Sequence, residues 1–309
     1  MKEALGLVLC GLPNDAAEVL TLATLLEAEG DPAGWGELWR ATDAGGATLG
    51  AAWGQLRPGG AALVWPPQWR TANDVAATAI PPSPEVSQAL LDHLTAALAA
   101  RGCTLGQSLL ISADCAEADA LSAAGFQHLA ELTYLVGETI DVDTRPSLAE
   151  RGGSPVTFEP FTEPDRDRLA DVVERSYVDT LDCPALNGLR TGREMLEEYD
   201  VAGAGGSRSW RFVVNDGRDV GCLILAEHAE QDQVELVYMG LVPEARGRSW
   251  GALVARESLR IAASLGRARV VLAVDSTNLP AARAYERVGF LPWEKRHAFI
   301  KSLHAKSET

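Results

Sequence analysis

Two Gly-Phe pairs, Gly125-Phe126 and Gly289-Phe290, stand 164 residues apart, and each closes a similar succession of strands and helices. A repeat of that length lets each copy build its own hydrophobic core, so the chain is constrained to fold twice along related lines. Hydrophobic periodicity and turn residues predict, upstream, a strand at 4–10, a helix at 14–29 and strands at 35–41, 46–55 and 60–65. A helix at 84–101, a strand at 107–112, a helix at 116–124 and a strand at 128–136 complete that copy. Downstream they predict a strand at 155–159, helices at 163–178 and 191–199, and strands at 209–214, 219–226 and 233–242. A helix at 250–265, a strand at 269–274, a helix at 279–287 and a strand near 296–302 follow. Such interleaving implies an α/β (α+β) class, each copy a mixed twisted sheet flanked by helices. Residues 139–155 are polar with prolines near both ends and read as a linker, dividing the chain into domains at 1–140 and 155–309.

Composition narrows the function classes. The chain of 309 residues is 47% hydrophobic and 23% charged, ordinary material for two globular cores. It holds no run of 18 apolar residues and no basic-then-apolar N-terminus, which predicts a cytoplasmic protein without a membrane partner. Five dispersed cysteines, with no Cys-x-x-Cys and no nearby His pair, predict free thiols and no metal site. A net charge of −16 argues against a nucleic-acid partner, whose phosphates need a basic face, and suits a cationic amine as readily as it suits plain solubility.

Chemistry concentrates between Val234 and Phe290. Val234, Leu236, Tyr238, Leu241 and Val242 form an apolar run broken by Glu235 and Gly240 and ended by Pro243, the pattern of an interior strand. Arg246, Gly247, Arg248, Ser249 and Gly251 then place two guanidiniums and several small residues at the start of the predicted helix 250–265. A helix start presents unpaired N–H groups and the positive end of the macrodipole, which together seat a pyrophosphate. Further on, Asn278 and Tyr285 are seven apart and share one helix face, with Ala281 and Ala282 between them allowing close approach.

Taken together, the two segments resemble the acyl-coenzyme A site of the GNAT acyltransferases, over roughly residues 155–303. The resemblance implies acetyl-CoA as cofactor, bound by Leu241, Val242, Arg246, Gly247, Arg248, Ser249, Trp250, Gly251, Ala252 and Asn278, with Tyr285 as general acid to the departing thiolate. It also implies that the connection 176–190 lines the acceptor pocket, where Tyr177, Thr180, Asp182 and Asn187 offer a carboxylate and polar groups. As a turn, Asp182 to Pro184 would serve equally well with the rest a solvated loop. Ser249 departs from the family pattern, which has glycine there; a left-handed backbone would make serine cost about 1 kcal/mol or more.

Acyl transfer to an amine also needs a proton acceptor and a stabilised oxyanion. Glu235, a carboxylate inside an apolar strand, is the expected base, because desolvation raises a carboxyl toward a useful range. It also stands five residues before Gly240, as the base of the mycothiol-synthase-like branch of the family does. A solvated or ion-paired strand glutamate is the alternative. Backbone N–H groups near Leu241 and Val242 are expected to hold the oxyanion. Cys183 and Cys222 lack a histidine neighbour in sequence, so a covalent route is not expected.

Shifting by the repeat length places Asp114 at Asn278, Leu121 at Tyr285, Pro82 at Arg246, Glu85 at Ser249 and Ser87 at Gly251. An acid would face the pyrophosphate and no phenol would remain. The first copy is therefore expected to keep the fold and lack the cofactor, a tandem arrangement with one active copy that resembles the mycothiol-synthase-like enzymes. The expected activity is N-acetyl transfer to a primary amine of a small molecule or peptide; a non-catalytic acyl-CoA-binding or partner-docking module is the alternative reading.

Overall fold

The computed structural model describes residues 4, 7–8, 36–70, 83–140, 156–188, 191–200, 202 and 206–303. The helix expected at 14–29, Pro82 and residues 141–155 of the linker lie outside them. The chain divides into two compact units, Met1–Leu129 with His297–Thr309, and Ala130–Arg296.

In the first unit β1 (Glu37–Thr42), β2 (Thr48–Arg57) and β3 (Ala61–Trp69) form an antiparallel meander. β4 (Leu105–Leu110) joins β3 in parallel, which needs a crossover, and α1 (Pro84–Ala100) lies within that connection. Helix α1 buries Leu90, Leu91, Leu94 and Leu98, spaced to fall on one face, and begins with Pro84, whose missing N–H costs nothing at a first helical position. After β4 come α2 (Ala116–Ala123) and the start of β5 (Gln127–Glu138). The edge beyond β4 is taken by the end of β11 (Leu291–Ser302), antiparallel from His297↔Leu110 to Ser302↔Leu105. Phe299 and Leu303 thereby enter the core of Leu91, Leu94, Leu121 and Phe126.

The second unit contains β6 (Thr157–Pro160), α3 (Arg166–Tyr177), α4 (Gly192–Asp200), β7 (Arg211–Asn215), β8 (Arg218–His228), β9 (Gln233–Leu241), α5 (Trp250–Ser264), β10 (Arg269–Asp275) and α6 (Leu279–Glu286). Its strands run in the order β5-β10-β9-β8-β7-β6. Neighbours are antiparallel except β9 and β10, whose parallel pairing again encloses a helix, α5. Strand β8 is buried on both faces. Leu223 and Leu225 join Val254 and Leu259 of α5, while Cys222 and Ile224 join Leu169, Val172 and Val173 of α3 and Leu196 of α4. That two-sided burial is why β8 reads as a continuous apolar run. Seven residues of β5 pair with β10, from Glu138↔Arg269 to Leu132↔Asp275. Gly137 is required in that ladder, because a Cβ there would lie 2.9 Å from Phe290 and 3.0 Å from Leu259.

Two features differ from the sequence expectation. Residues 4, 7 and 8 are helical where a strand was expected. A short apolar run suits either state, and Ala4 and Val8, four apart, are both buried against Ala51 and Trp53, which is helical spacing. The compact units also do not follow the chain linearly: most of β5 belongs to the second and the end of β11 to the first. Local sequence carries no signal for which sheet edge a terminal strand joins. A fragment of residues 130–296 keeps the β5–β10 ladder, whereas one of residues 155–309 exposes β10 as an edge and uncovers Phe290. The first is expected to melt at the higher temperature; the reverse order in thermal melts would show that β5 does not hold this unit together.

Candidate active site

The site begins where a ladder ends. β9 and β10 pair at only three positions, Gln233↔Arg269, Val234↔Val270 and Glu235↔Val271. Just beyond, the β8–β9 register shifts from Leu225↔Leu236 to Ile224↔Tyr238, leaving Val237 as the extra residue of a bulge. A bulge bends its strand and increases its twist, so β9 leaves β10 after Glu235. Between the diverging strands lies a cavity of about 510 Å³, walled by Leu236 to Leu241 on one side and Ala273 and Val274 on the other. The β9 edge facing it has backbone groups that no β10 residue satisfies, an opening with the shape and hydrogen-bonding pattern for an extended amide-bearing chain.

The turn after β9 closes one end. Arg246 donates from Nε to the Leu241 carbonyl at 3.0 Å, from Nη1 to that of Asp179 at 2.9 Å and from Nη2 to that of Ser176 at 2.8 Å. It thus ties the end of β9 to the loop after α3, and its charge reaches the cavity wall with most donors already committed. Gly247 and Ser249 both have left-handed backbones, φ 73° and 61°. Ser249 caps α5 without a side-chain cap bond, so the helix's first N–H groups stay available at the cavity beside Trp250, Gly251 and Ala252. Trp250 is buried in the core and also walls the cavity, and the Arg248 guanidinium lies 5.0 Å from its ring. Arg248 does not wall the cavity. Two guanidiniums absent from the sequence expectation do: Arg283 of α6 and, four residues on, Arg287 at its C-cap, with Arg287 Nη1 donating to Ser249 Oγ at 3.4 Å.

Tyr285 and Asn278 meet at the same cavity. Tyr285 is 5% exposed, its ring edge against Phe290, and burial pushes its phenol well above the ordinary range, reinforced by the Asp182 charge. It therefore keeps its proton at neutral and moderately alkaline pH. Asn278 Oδ1 accepts from the Ala281 N–H at 3.3 Å and so caps α6. Asp182 Oδ1 accepts from the Asp275 N–H at 3.1 Å, and Asp275 Oδ2 accepts from the Cys183 N–H at 3.2 Å. This reciprocal pair fastens the 178–188 loop to the end of β10. Burial raises the Asp182 carboxyl, with the Asp275 charge adding to it. The same burial pushes the Cys183 and Cys222 thiols up to about 12, which leaves neither a ready nucleophile.

Other expected residues lie apart from the cavity. Thr180 walls it, but Tyr177 is stacked on Tyr238 with centroids 5.3 Å apart, and Asn187 is exposed away from it. Val242 is 1% exposed and its N–H donates to the Val220 carbonyl at 3.0 Å, so that amide is not free for an oxyanion. Glu235 is 44% exposed in its side chain, bonded to His228 Nε2 at 2.9 Å and outside the cavity wall. The burial expected of it is therefore not found. In the first unit Leu121, the counterpart of Tyr285, is fully buried core, and Glu85 stands exposed in the first turn of α1. Among the described residues no cluster of three metal-ligating side chains occurs, and no helix is long and apolar enough to cross a membrane.

Residues 177–290 match the model of the Acetyltransferase (GNAT) family. Over 90 residues the sequence is 34% identical to the mycothiol acetyltransferase of Stackebrandtia nassauensis, a match spanning 28% of this chain and 29% of that relative. Among solved structures, a GCN5-related N-acetyltransferase from Sphaerobacter thermophilus is similar with a TM-score of 0.60 at 16% identity, covering 95% of this chain and 87% of its own. A GCN5-related glucosamine N-acetyltransferase region of a fungal multi-domain GH3 β-N-acetylglucosaminidase gives a TM-score of 0.56 at 15% identity, over 85% of this chain and 32% of its own. At these identities the structural likeness establishes a shared fold.

The left-handed φ of Ser249 makes a direct test. Ser249→Gly removes Cβ strain of about 1 kcal/mol, partly offset by the greater freedom of glycine in the unfolded chain, and is expected to leave the melting temperature unchanged or raised. Ser249→Val places a β-branched residue in that region and is expected to lower it. Equal melts for all three proteins would show that the turn is not held as described.

Proposed function

Because residues 177–290 match the model of the GNAT acetyltransferase family, we propose that this chain moves an acetyl group from acetyl-CoA to a primary amine by direct attack. The observation that carries the reading is the burial of Tyr285 in the cavity where β9 and β10 part. The pantetheine arm fits the unpaired β9 edge, and the pyrophosphate fits the start of α5, with Arg246, Arg283 and Arg287 supplying positive charge. The backbone at Gly251 is open to close approach: a Cβ there would meet only Ala284, at 3.4 Å.

In the reaction the amine lone pair forms a bond to the thioester carbon while the carbon–sulfur bond breaks. The carbonyl oxygen gains charge, which the free N–H groups of the β9 edge stabilise. Tyr285 gives its proton to the departing thiolate; its raised pKa keeps that proton available. Glu235, on the open face of β9, accepts one proton of the attacking ammonium through water, with His228 orienting its carboxylate, and the second proton shed as the amide forms restores the Tyr285 phenol. Thr180 and Asp182 close the acceptor side of the cavity.

Tyr285→Phe is expected to lower kcat by about 100-fold while coenzyme A affinity, read by calorimetry, stays nearly unchanged. The phenol acts as the protonated form, so its raised pKa should carry the parent's activity past the ordinary tyrosine range near pH ~10 before it falls. A mutant within twofold of the parent would reduce Tyr285 to packing.

A further inference from the structure

The open face beyond the cavity carries residues that neither the cofactor nor the core uses. In the β9–β10–β5 ladder Glu235 stands opposite Val271, Val271 opposite Val136, and Ala273 opposite Tyr134. Directly opposed residues project to the same face of a sheet and alternate residues repeat it, so these five share one face. Helices α3 and α4 cover that face only farther along, over Phe212, Cys222, Ile224 and Tyr238. Ala273 is exposed and also walls the cavity, which makes the face and the cavity continuous. At the far side of Tyr134 stands Trp293 of β11, 58% exposed, with its ring 5.9 Å from that of Tyr134 at 72°.

An indole left more than half in water beside a second aromatic is the composition of a binding wall; a core would bury both. Glu235, Glu294 and Arg296 are charged groups that act on the Tyr134 phenol. Glu294 is paired with the guanidinium of Arg296 at 2.6 Å, while Glu235, bonded through Oε2 to the His228 ring, is the carboxylate of this face not held by an arginine.

We propose that Tyr134 and Trp293 are specificity-determining residues for the amine, forming a wall on which a ring of the acceptor stacks while its ammonium points to Glu235 and its nitrogen to the cavity. The substrate class is a primary amine carried on a ring with an apolar face, aromatic or sugar. This inference rests on the acetyl-transfer reading for its chemistry, although the wall binds amine whether or not transfer follows. Tyr134 comes from the strand that the first half of the sequence contributes to this unit, so that half would take part in substrate choice.

The test uses the full chain with phenethylamine, glucosamine and the ring-free propylamine. Trp293→Ala is a surface change and is expected to raise the KM of whichever ring amine is preferred about five- to tenfold. The kcat, coenzyme A affinity and propylamine turnover should be unchanged, and Trp293→Phe should restore most of the loss. Tyr134→Ala should act in the same direction. Calorimetry of each amine against the coenzyme A complex reads the wall without catalysis. Ring-amine binding that is lost in Trp293→Ala supports the wall even where no acetyl group moves, and in that case only the transfer reading fails. Equal binding in parent and both variants, or no preference for ring amines over propylamine in the parent, overturns the proposal. The stronger of phenethylamine and glucosamine tells an aromatic from a sugar ring.

Discussion

The short pairing of β9 with β10 is the constraint on which the site depends. Parallel strands in an interior sheet ordinarily satisfy each other along their length, and stopping after three rungs leaves backbone groups without partners. Such an arrangement persists only where neighbouring elements hold both strands in place. Here β8 holds β9 through a long antiparallel ladder on one side, and β5 holds β10 through seven pairs on the other. The bulge at Val237 sets the angle of departure. The opening is thus paid for by the ladders on either side.

Charge is arranged along the opening by position. The cavity wall carries guanidiniums, a helix start and Asp182, whose pairing with Asp275 pins the loop after α3. Tyr285 sits in the same wall, in a buried setting that keeps its proton on. Arg246 serves structure as much as charge, because its three carbonyl bonds join β9 to that same loop. Three non-glycine residues with left-handed backbones, Asp179, Cys183 and Ser249, flank the site. Strain of this kind persists where the surroundings over-determine it, and it concentrates at functional sites. The first half repeats the order of elements from the meander to the last strand, and has leucine where the second has the buried phenol.

Much of this was legible in the sequence because it is local. Alternation and helical periodicity located most elements of both halves to within a few residues, and Gly247, Ser249, Gly251, Asn278 and Tyr285 fell at one cavity as their spacing implied. What was not legible is non-local. The bulge at Val237 depends on how β9 registers with β8, and no residue type marks it. Glu235 looked buried because its neighbours in the chain are apolar, yet among the described residues no helix covers its face of the sheet there. Arg283 and Arg287 could have been found from their four-residue spacing, which puts both on one side of α6 and its C-cap. The commitment of Arg246 to three carbonyls, and the exchange of terminal strands between the units, follow from contacts far apart in sequence.

The account places a thioester sulfur beside Tyr285 in the opening between β9 and β10. A crystal structure of the chain with coenzyme A tests this most directly. The expected result is one molecule per chain, its pantetheine bonded to the β9 edge, its pyrophosphate at the start of α5 and its sulfur within hydrogen-bonding reach of the Tyr285 hydroxyl. Coenzyme A bound in the first unit, or a sulfur remote from Tyr285, would contradict it.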